Sequence, residues 1–322
     1  MMKSCYKQAF ENTVHKLKEC GDKFLFAVVA DSHLDNSAEE SCNNIREVCE
    51  ETQIACVLHL GDIMCDGLPR KTLNRYMKKE IDMFCDCSPN GHFFPARGNH
   101  DGFKDFVKEV TAVRLDTDWF EATHYIEKLP NTSRPDGMPY FYVDYPEKKI
   151  RLIALNSFFY TEVNGDEVKG ARDGYDDQQL EWFKSDALNL SEGWTVIAFA
   201  HDAPISTFDE SFKENNKIYN GNEMLSAIKD KMKENGFKFA AWLVGHYHGD
   251  MTFCADGVNL VFVASETAYV PTLWDMPEGG YYPDRILGTE TEDLWDAVCV
   301  DTDKQKLRFF RFGAGKDREI SY

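Results

Sequence analysis

The chain predicts an α/β fold: a largely parallel, helix-covered sheet followed by a β-rich C-terminal part. Three observations carry that reading. Continuous apolar runs of strand length, such as FLFAVVA at 24–30, alternate with segments of helical period. The runs lack an apolar–polar alternation, as strands covered on both faces do. The early runs are each followed by a loop and a helix, the order that builds parallel sheets.

Taken in order, the first 20 residues hold Phe10, Val14 and Leu17 at helical spacing, and no apolar run there is long enough for a signal peptide. Phe24 to Ala30 is the first strand. Ser37 and Glu40 form a capping box that opens a helix to about Glu51. Ile54 to Leu60 is the next strand. Leu68 to Phe84 reads as a helix with Leu73, Tyr76, Met77, Met83 and Phe84 partly on one face. A third strand follows at His92 to Ala96, then a helix over 103–113. Residues 114–140 are irregular. Tyr140–Tyr145 and Ile150–Leu155 form a hairpin around Pro146-Glu147-Lys148. A Gly-punctuated loop leads to a helix over Asp176–Asn189, with Leu180, Phe183, Ala187 and Leu188 as its buried face. Trp194–Ala200 is a strand, Glu223–Asn235 a helix and Phe237–Val244 a strand. Strands are then expected at Met251–Cys254, Val258–Ala264, Leu294–Asp301 and Leu307–Phe312. No repeat, low-complexity tract or linker interrupts the 322 residues, so one domain is expected, with a helix in 1–20 and late strands and a tail in 294–322.

Composition excludes several classes. A formal charge of -19 argues against a general nucleic-acid or membrane-surface binder, since either needs a basic face. No segment approaches the ~20 apolar residues of a membrane span. Ten cysteines without a secretion signal read as free thiols in a reducing, cytoplasmic setting. Cys85 and Cys87 form a CxC, but no second pair has zinc-ligand spacing. Gly313-Ala314-Gly315-Lys316 lacks the spacing and hydroxyl of a phosphate loop and reads as a terminal turn.

The strand ends carry the chemistry. They offer Asp31-x-His33, Gly61-Asp62, Gly98-Asn99-His100-Asp101, His201 and Gly245-His246-x-His248, so five of nine histidines sit immediately after apolar strands. Carboxylate, amide and imidazole donors without a thiolate suit manganese, iron or zinc. Polar clusters at the carboxyl ends of strands are where open α/β sheets place their sites.

As an ordered set, D-x-H, G-D, G-N-H-D, H and G-H-x-H resemble the calcineurin-like metallophosphoesterase superfamily, over residues 31 to 248. The resemblance implies a four-layer α/β/β/α sandwich of two mixed β-sheets flanked by helices, the late strands completing the second sheet. It implies two metal ions. Asp31, His33 and His248 would bind one; Asn99, His201 and His246 would bind the other; Asp62 would bridge both. Two divalent ions on two carboxylates leave about two net positive charges by simple counting, which favours a phosphate despite the acidic surface. The implied reaction is hydrolysis of a small phosphomonoester or phosphodiester, with His100 protonating the departing alkoxide. Arg97 is a candidate phosphate contact. Asp101 either orients His100 or caps the following helix.

Two departures stand out. The second aspartate and arginine of the protein phosphatase branch are absent after Gly61-Asp62, where this chain has Cys65 and Asp66. Asp202 replaces a histidine that many members carry after the equivalent of His201. The competing readings are a nuclease, disfavoured by charge, and a non-catalytic scaffold, which should have lost ligands. None is missing. Aromatic loops at 119–125 and 269–282 either wall the substrate or pin themselves to the core.

Overall fold

A computed structural model describes residues 2–33, 37–65, 70–101, 119–164, 167–205, 218–267 and 276–322. The described chain runs α1 (Lys7–Glu19), β1 (Phe24–Val29), α2 (Ser37–Glu51), β2 (Ile54–His59), α3 (Arg70–Cys87), β3 (Phe93–Pro95), β4 (Thr132–Ser133), β5 (Phe141–Tyr145), β6 (Ile150–Ala154), β7 (Phe158–Asn164) and β8 (Glu167–Asp173). It continues through α4 (Asp177–Trp182), β9 (Thr195–Ala200), α5 (Gly221–Asn235), β10 (Lys238–Val244), β11 (Met251–Ala255), β12 (Val258–Phe262), β13 (Leu294–Asp301), β14 (Lys306–Gly313) and β15 (Arg318–Ser321). The helix expected over 103–113 lies outside the described residues.

β1 shows why the chain forms four layers. Successive strand residues point to opposite faces. Leu25, Ala27 and Val29 join the helices α1, α2 and α3 in one core. Phe24, Phe26 and Val28 join Leu152, Ile197, Phe199 and Leu243 of other strands in a second core. Because both faces are covered, all six positions are apolar. One sheet has the order β15-β14-β13-β1-β2-β3 and the other β11-β12-β10-β9-β6-β5-β4. They face each other across the second core. α4 and α5 close the far side, where Leu180, Phe183, Met224 and Ile228 pack on Val196 and Trp242. Both sheets are mixed: β1 pairs parallel to β2 and antiparallel to β13, and β12 pairs parallel to β10 and antiparallel to β11.

Local chemistry sets the helix ends. The Asp176 carboxylate accepts the Gln179 N–H at 2.7 Å and starts α4. Gly236, at φ +76°, ends α5 in the left-handed cap that glycine adopts without penalty.

Three expectations are corrected. The Gly-punctuated loop before α4 contains a ribbon, β7 paired antiparallel with β8. Among the described residues its strands pair only with each other, and no continuous apolar run announces them. The late strands do not all complete the second sheet: β11 and β12 do, but β13, β14 and β15 extend the first from the edge of β1. β15 has the sequence REIS, too short and polar to read as a strand until β14 is beside it.

A buried charge cluster ties the two sheets together. Arg311 of β14 bonds Asp250, which precedes β11, at 2.8 Å to each carboxylate oxygen. It also bonds Asp296 of β13 at 2.8 Å. Arg318 of β15 contacts both carboxylates. Burial opposes the Asp250 charge, but Arg318 and Arg311 outweigh it and hold the carboxyl below its usual range. Arg311→Leu should therefore cost about 3–5 kcal/mol, because it strands buried carboxylates. A lower urea midpoint with unchanged slope is the expected result.

Candidate metal centre

Three strand ends of the two sheets meet at one place with unusual backbone. Asp31 and His33 after β1, Asp62 after β2, and His246 and His248 after β10 all have positive φ, between 48° and 66°. Non-glycine residues avoid this region, at a cost on the order of 1–3 kcal/mol each. Hydrogen bonds hold them there. Asp31 N–H donates to the Gly61 carbonyl at 3.1 Å, and His33 N–H to the Asp62 carbonyl at 3.0 Å. His246 N–H donates to both Asp31 carboxylate oxygens at 3.1 Å. Gly98 is required by crowding, since a Cβ there would lie 2.1 Å from Asp62 Oδ1.

The side chains converge in overlapping groups. Asp31, His33 and His248 bring one donor atom each within 4.8 Å of one another, as do Asp62, His201 and His246. In the first group His33 Nε2 is 3.2 Å from His248 Nε2, which is 3.4 Å from Asp31 Oδ1. In the second, His201 Nε2 lies 3.0 Å from Asp62 Oδ2 and 3.1 Å from His246 Nδ1. Asn99 Oδ1 joins that group, 3.1 Å from His201 Nε2. Asp62 Oδ2 also stands 4.0 Å from His33 Nε2, between the two groups. Donors about 2.1 Å from one shared ion stand about 3.0–3.4 Å apart at octahedral or tetrahedral angles. The short edges here match that spacing. A cation would also relieve the repulsion between lone pairs of nitrogens and oxygens that face one another in a buried place. The donor set therefore fits metal.

The electrostatics follow from burial and pairing. Burial alone would lower the His201 imidazole, but Asp62 and Asp31 outweigh it and lift it to about 10. Burial, reinforced by His201, holds His246 down to about 3. Burial also depresses His33. It opposes ionisation of Asp31 and Asp62, yet His248 at the first and His201 at both hold the two carboxyls below their usual range.

His100 sits at the rim, its side chain 26% exposed and Nε2 3.7 Å from Asp62 Oδ2. Its ring meets His33 edge-on with centroids 5.0 Å apart. The other two predicted catalytic residues, Asp101 and Arg97, both contact backbone groups. The Asp101 carboxylate accepts the N–H groups of Asp62, Met64 and Gly98 at 2.8–2.9 Å, clamping two loops together. Burial and the nearby Asp62 raise it to about 6. Arg97 is 2% exposed, and its Nη2 donates to the Phe158 carbonyl at 3.0 Å. That bond braces the start of β7. Asp202 is buried and accepts the Ala203 N–H, and burial together with Asp173 lifts it to about 7.

Of the aromatic loops, Trp119 is in the core and Tyr125 donates its hydroxyl to the Phe93 carbonyl at 2.8 Å, so 119–125 is pinned inward. Tyr269 and Trp274 lie outside the described residues. Two features escaped the sequence reading. Phe158 packs 5.7 Å and 5.9 Å from the His201 and His246 rings. His59, within the second strand, is buried and hydrogen-bonded to Ser32 at 2.8 Å. A histidine inside an otherwise apolar run was the available signal for it. Burial holds its imidazole down to about 3.

Comparison with known proteins adds the context. The family model for calcineurin-like phosphoesterases matches residues 24–250. No curated protein matches the chain. Among solved structures, GAP50, the anchor in the inner membrane complex of Plasmodium, is similar at TM-score 0.51 and 12% identity, over 93% of this chain and 89% of that one. The phosphopantetheinyl hydrolase of Mycobacterium tuberculosis is similar at TM-score 0.43 and 12% identity, over 76% and 91%. TT1561 of Thermus thermophilus is similar at TM-score 0.42 and 11% identity, over 89% and 98%. Among the described residues, no helix is long and apolar enough to cross a membrane.

Proposed function

The chain belongs to the calcineurin-like phosphoesterase family, and from that premise we propose that it is a metal-dependent hydrolase of small phosphomonoesters or phosphodiesters. The observation that carries this reading is the pair of donor groups that meet at Asp62. Asp31, His33 and His248 would hold one ion, Asn99, His201 and His246 the second, and Asp62 would bridge them. Manganese, iron and zinc suit these oxygen and imidazole donors. When bound, such a pair supplies Lewis-acid activation of water and neutralises charge on a phosphoryl group.

The remaining work falls to the chain's own residues. His100 carries a proton at the rim of the site, on the exposed side of Asp62, and delivers it to the leaving alkoxide. Asp101 keeps the Asp62 turn against Gly98, so that the carboxylate faces both donor groups. The net charge of -19 disfavours a long nucleic-acid groove and therefore a nuclease. A scaffold without turnover would tolerate loss of ligands, whereas all seven are retained.

Elemental analysis of the purified protein, alongside a panel of phosphomonoesters, diesters and nucleotides, tests the proposal. About two metal equivalents per chain and hydrolysis of at least one substrate class are expected. Absence of bound metal and of turnover after loading with manganese, iron or zinc would overturn it.

A further inference from the structure

Ser32 lies between Asp31 and His33, and its hydroxyl serves a buried chain of side chains. Ser32 Oγ is 2.8 Å from His59 Nε2 and also bonds the Glu266 carboxylate. His59 Nδ1 accepts the Gly61 N–H at 3.1 Å. Ser32, His59 and Glu266 are each 0% exposed.

The direction of every bond is determined. Because Nδ1 of His59 accepts from a backbone N–H, its proton in the neutral ring is on Nε2. Nε2–H then donates to Ser32 Oγ, and the Ser32 O–H donates to Glu266. The chain thus runs from the turn that carries Asp62, through the turn that carries Asp31 and His33, to the segment after β12. Two bonds to main-chain carbonyls run beside it: Glu266 N–H donates to the Ala30 carbonyl at 2.8 Å, and the Ser265 hydroxyl to the Asp31 carbonyl at 2.9 Å.

Burying a serine, a histidine and a glutamate together is costly, and apolar residues of similar volume would stabilise the fold at least as well. Their position decides the question. They join the two turns in which Asp31, His33 and Asp62 are held at left-handed φ. We propose that Ser32, His59 and Glu266 are positioning residues that preset these turns, so that the three ligands meet a metal ion without rearrangement. The proposal rests on the metal-site reading above. Its main output is metal affinity, as for other groups that orient ligands from behind.

The test measures zinc dissociation constants of the full chain by competition with a chromogenic chelator, and metal-free Tm, in wild type, Ser32→Ala, His59→Leu and His59→Gln. Ser32→Ala and His59→Leu should bind zinc about 10–100-fold more weakly. His59→Gln, whose side-chain N–H can replace Nε2–H, should recover most of the loss. Nitrogen-15 NMR of the wild-type protein should show His59 as the Nε2–H tautomer, a readout that requires no variant to fold. A lower Tm with wild-type zinc affinity, equal loss in both His59 variants, or an Nδ1–H tautomer would each overturn the proposal. Wild type that binds neither zinc nor, on loading, manganese or iron would remove the metal-site reading itself, an outcome distinct from wild type and variants binding equally well.

Discussion

His100→Ala is expected to lose about 10²–10⁴-fold in turnover while keeping its metal. Both halves of that expectation come from geometry. The imidazole is at the exposed rim, where a leaving group would depart, and Nε2 is 3.7 Å from Asp62 Oδ2. The bond that steadies Asp62 Oδ1 comes from the main-chain N–H of residue 100, at 2.8 Å, and survives truncation of the side chain. Substrates with an acidic leaving group, which need no proton, should lose least. Wild-type rates on an alkyl phosphoester in His100→Ala would remove His100 from the mechanism.

Asp62→Asn is expected to weaken metal binding by about 10–100-fold or more and to lower turnover with it. The substitution keeps the shape but removes a negative charge that faces His201 at 3.0 Å and His33 at 4.0 Å. One amide position would also turn an N–H into a place where only acceptors are useful. Elemental analysis after equilibrium dialysis checks this. Unchanged metal content would count against Asp62 as the bridge.

The candidate ligands were legible in the sequence because each sits one to four residues beyond an apolar run. The end of a buried strand is a local event: the run stops, and a polar residue follows where the chain leaves the core. Asp31, Asp62, His201 and His246 all show it. The roles of their neighbours were less legible. Asp101 and Arg97 carry the right chemistry for substrate contact, but Asp101 also accepts the backbone N–H groups of Asp62 and Met64, and Arg97 donates to the Phe158 carbonyl, in loops 37 to 61 residues away. Nothing near residue 97 says that the Phe158 carbonyl will be there to receive its guanidinium. Likewise Glu266 is an ordinary glutamate until Ser32 is seen beside it, with His59 beyond.

Sheet membership divides in the same way. That residues 294–301 and 306–313 form strands follows from their own side chains; that they extend the sheet of β1 rather than that of β10 does not. Apolar periodicity, strand ends and donor identity were thus determined by the sequence alone, because each depends on a few consecutive residues. Which edge a strand joins, which carboxylate is spent on backbone N–H groups, and which polar side chains meet in the interior were decided only by the tertiary structure. Those outcomes depend on burial and on partners from about 40 to more than 200 residues away, and neither leaves a mark on the local order of amino acids.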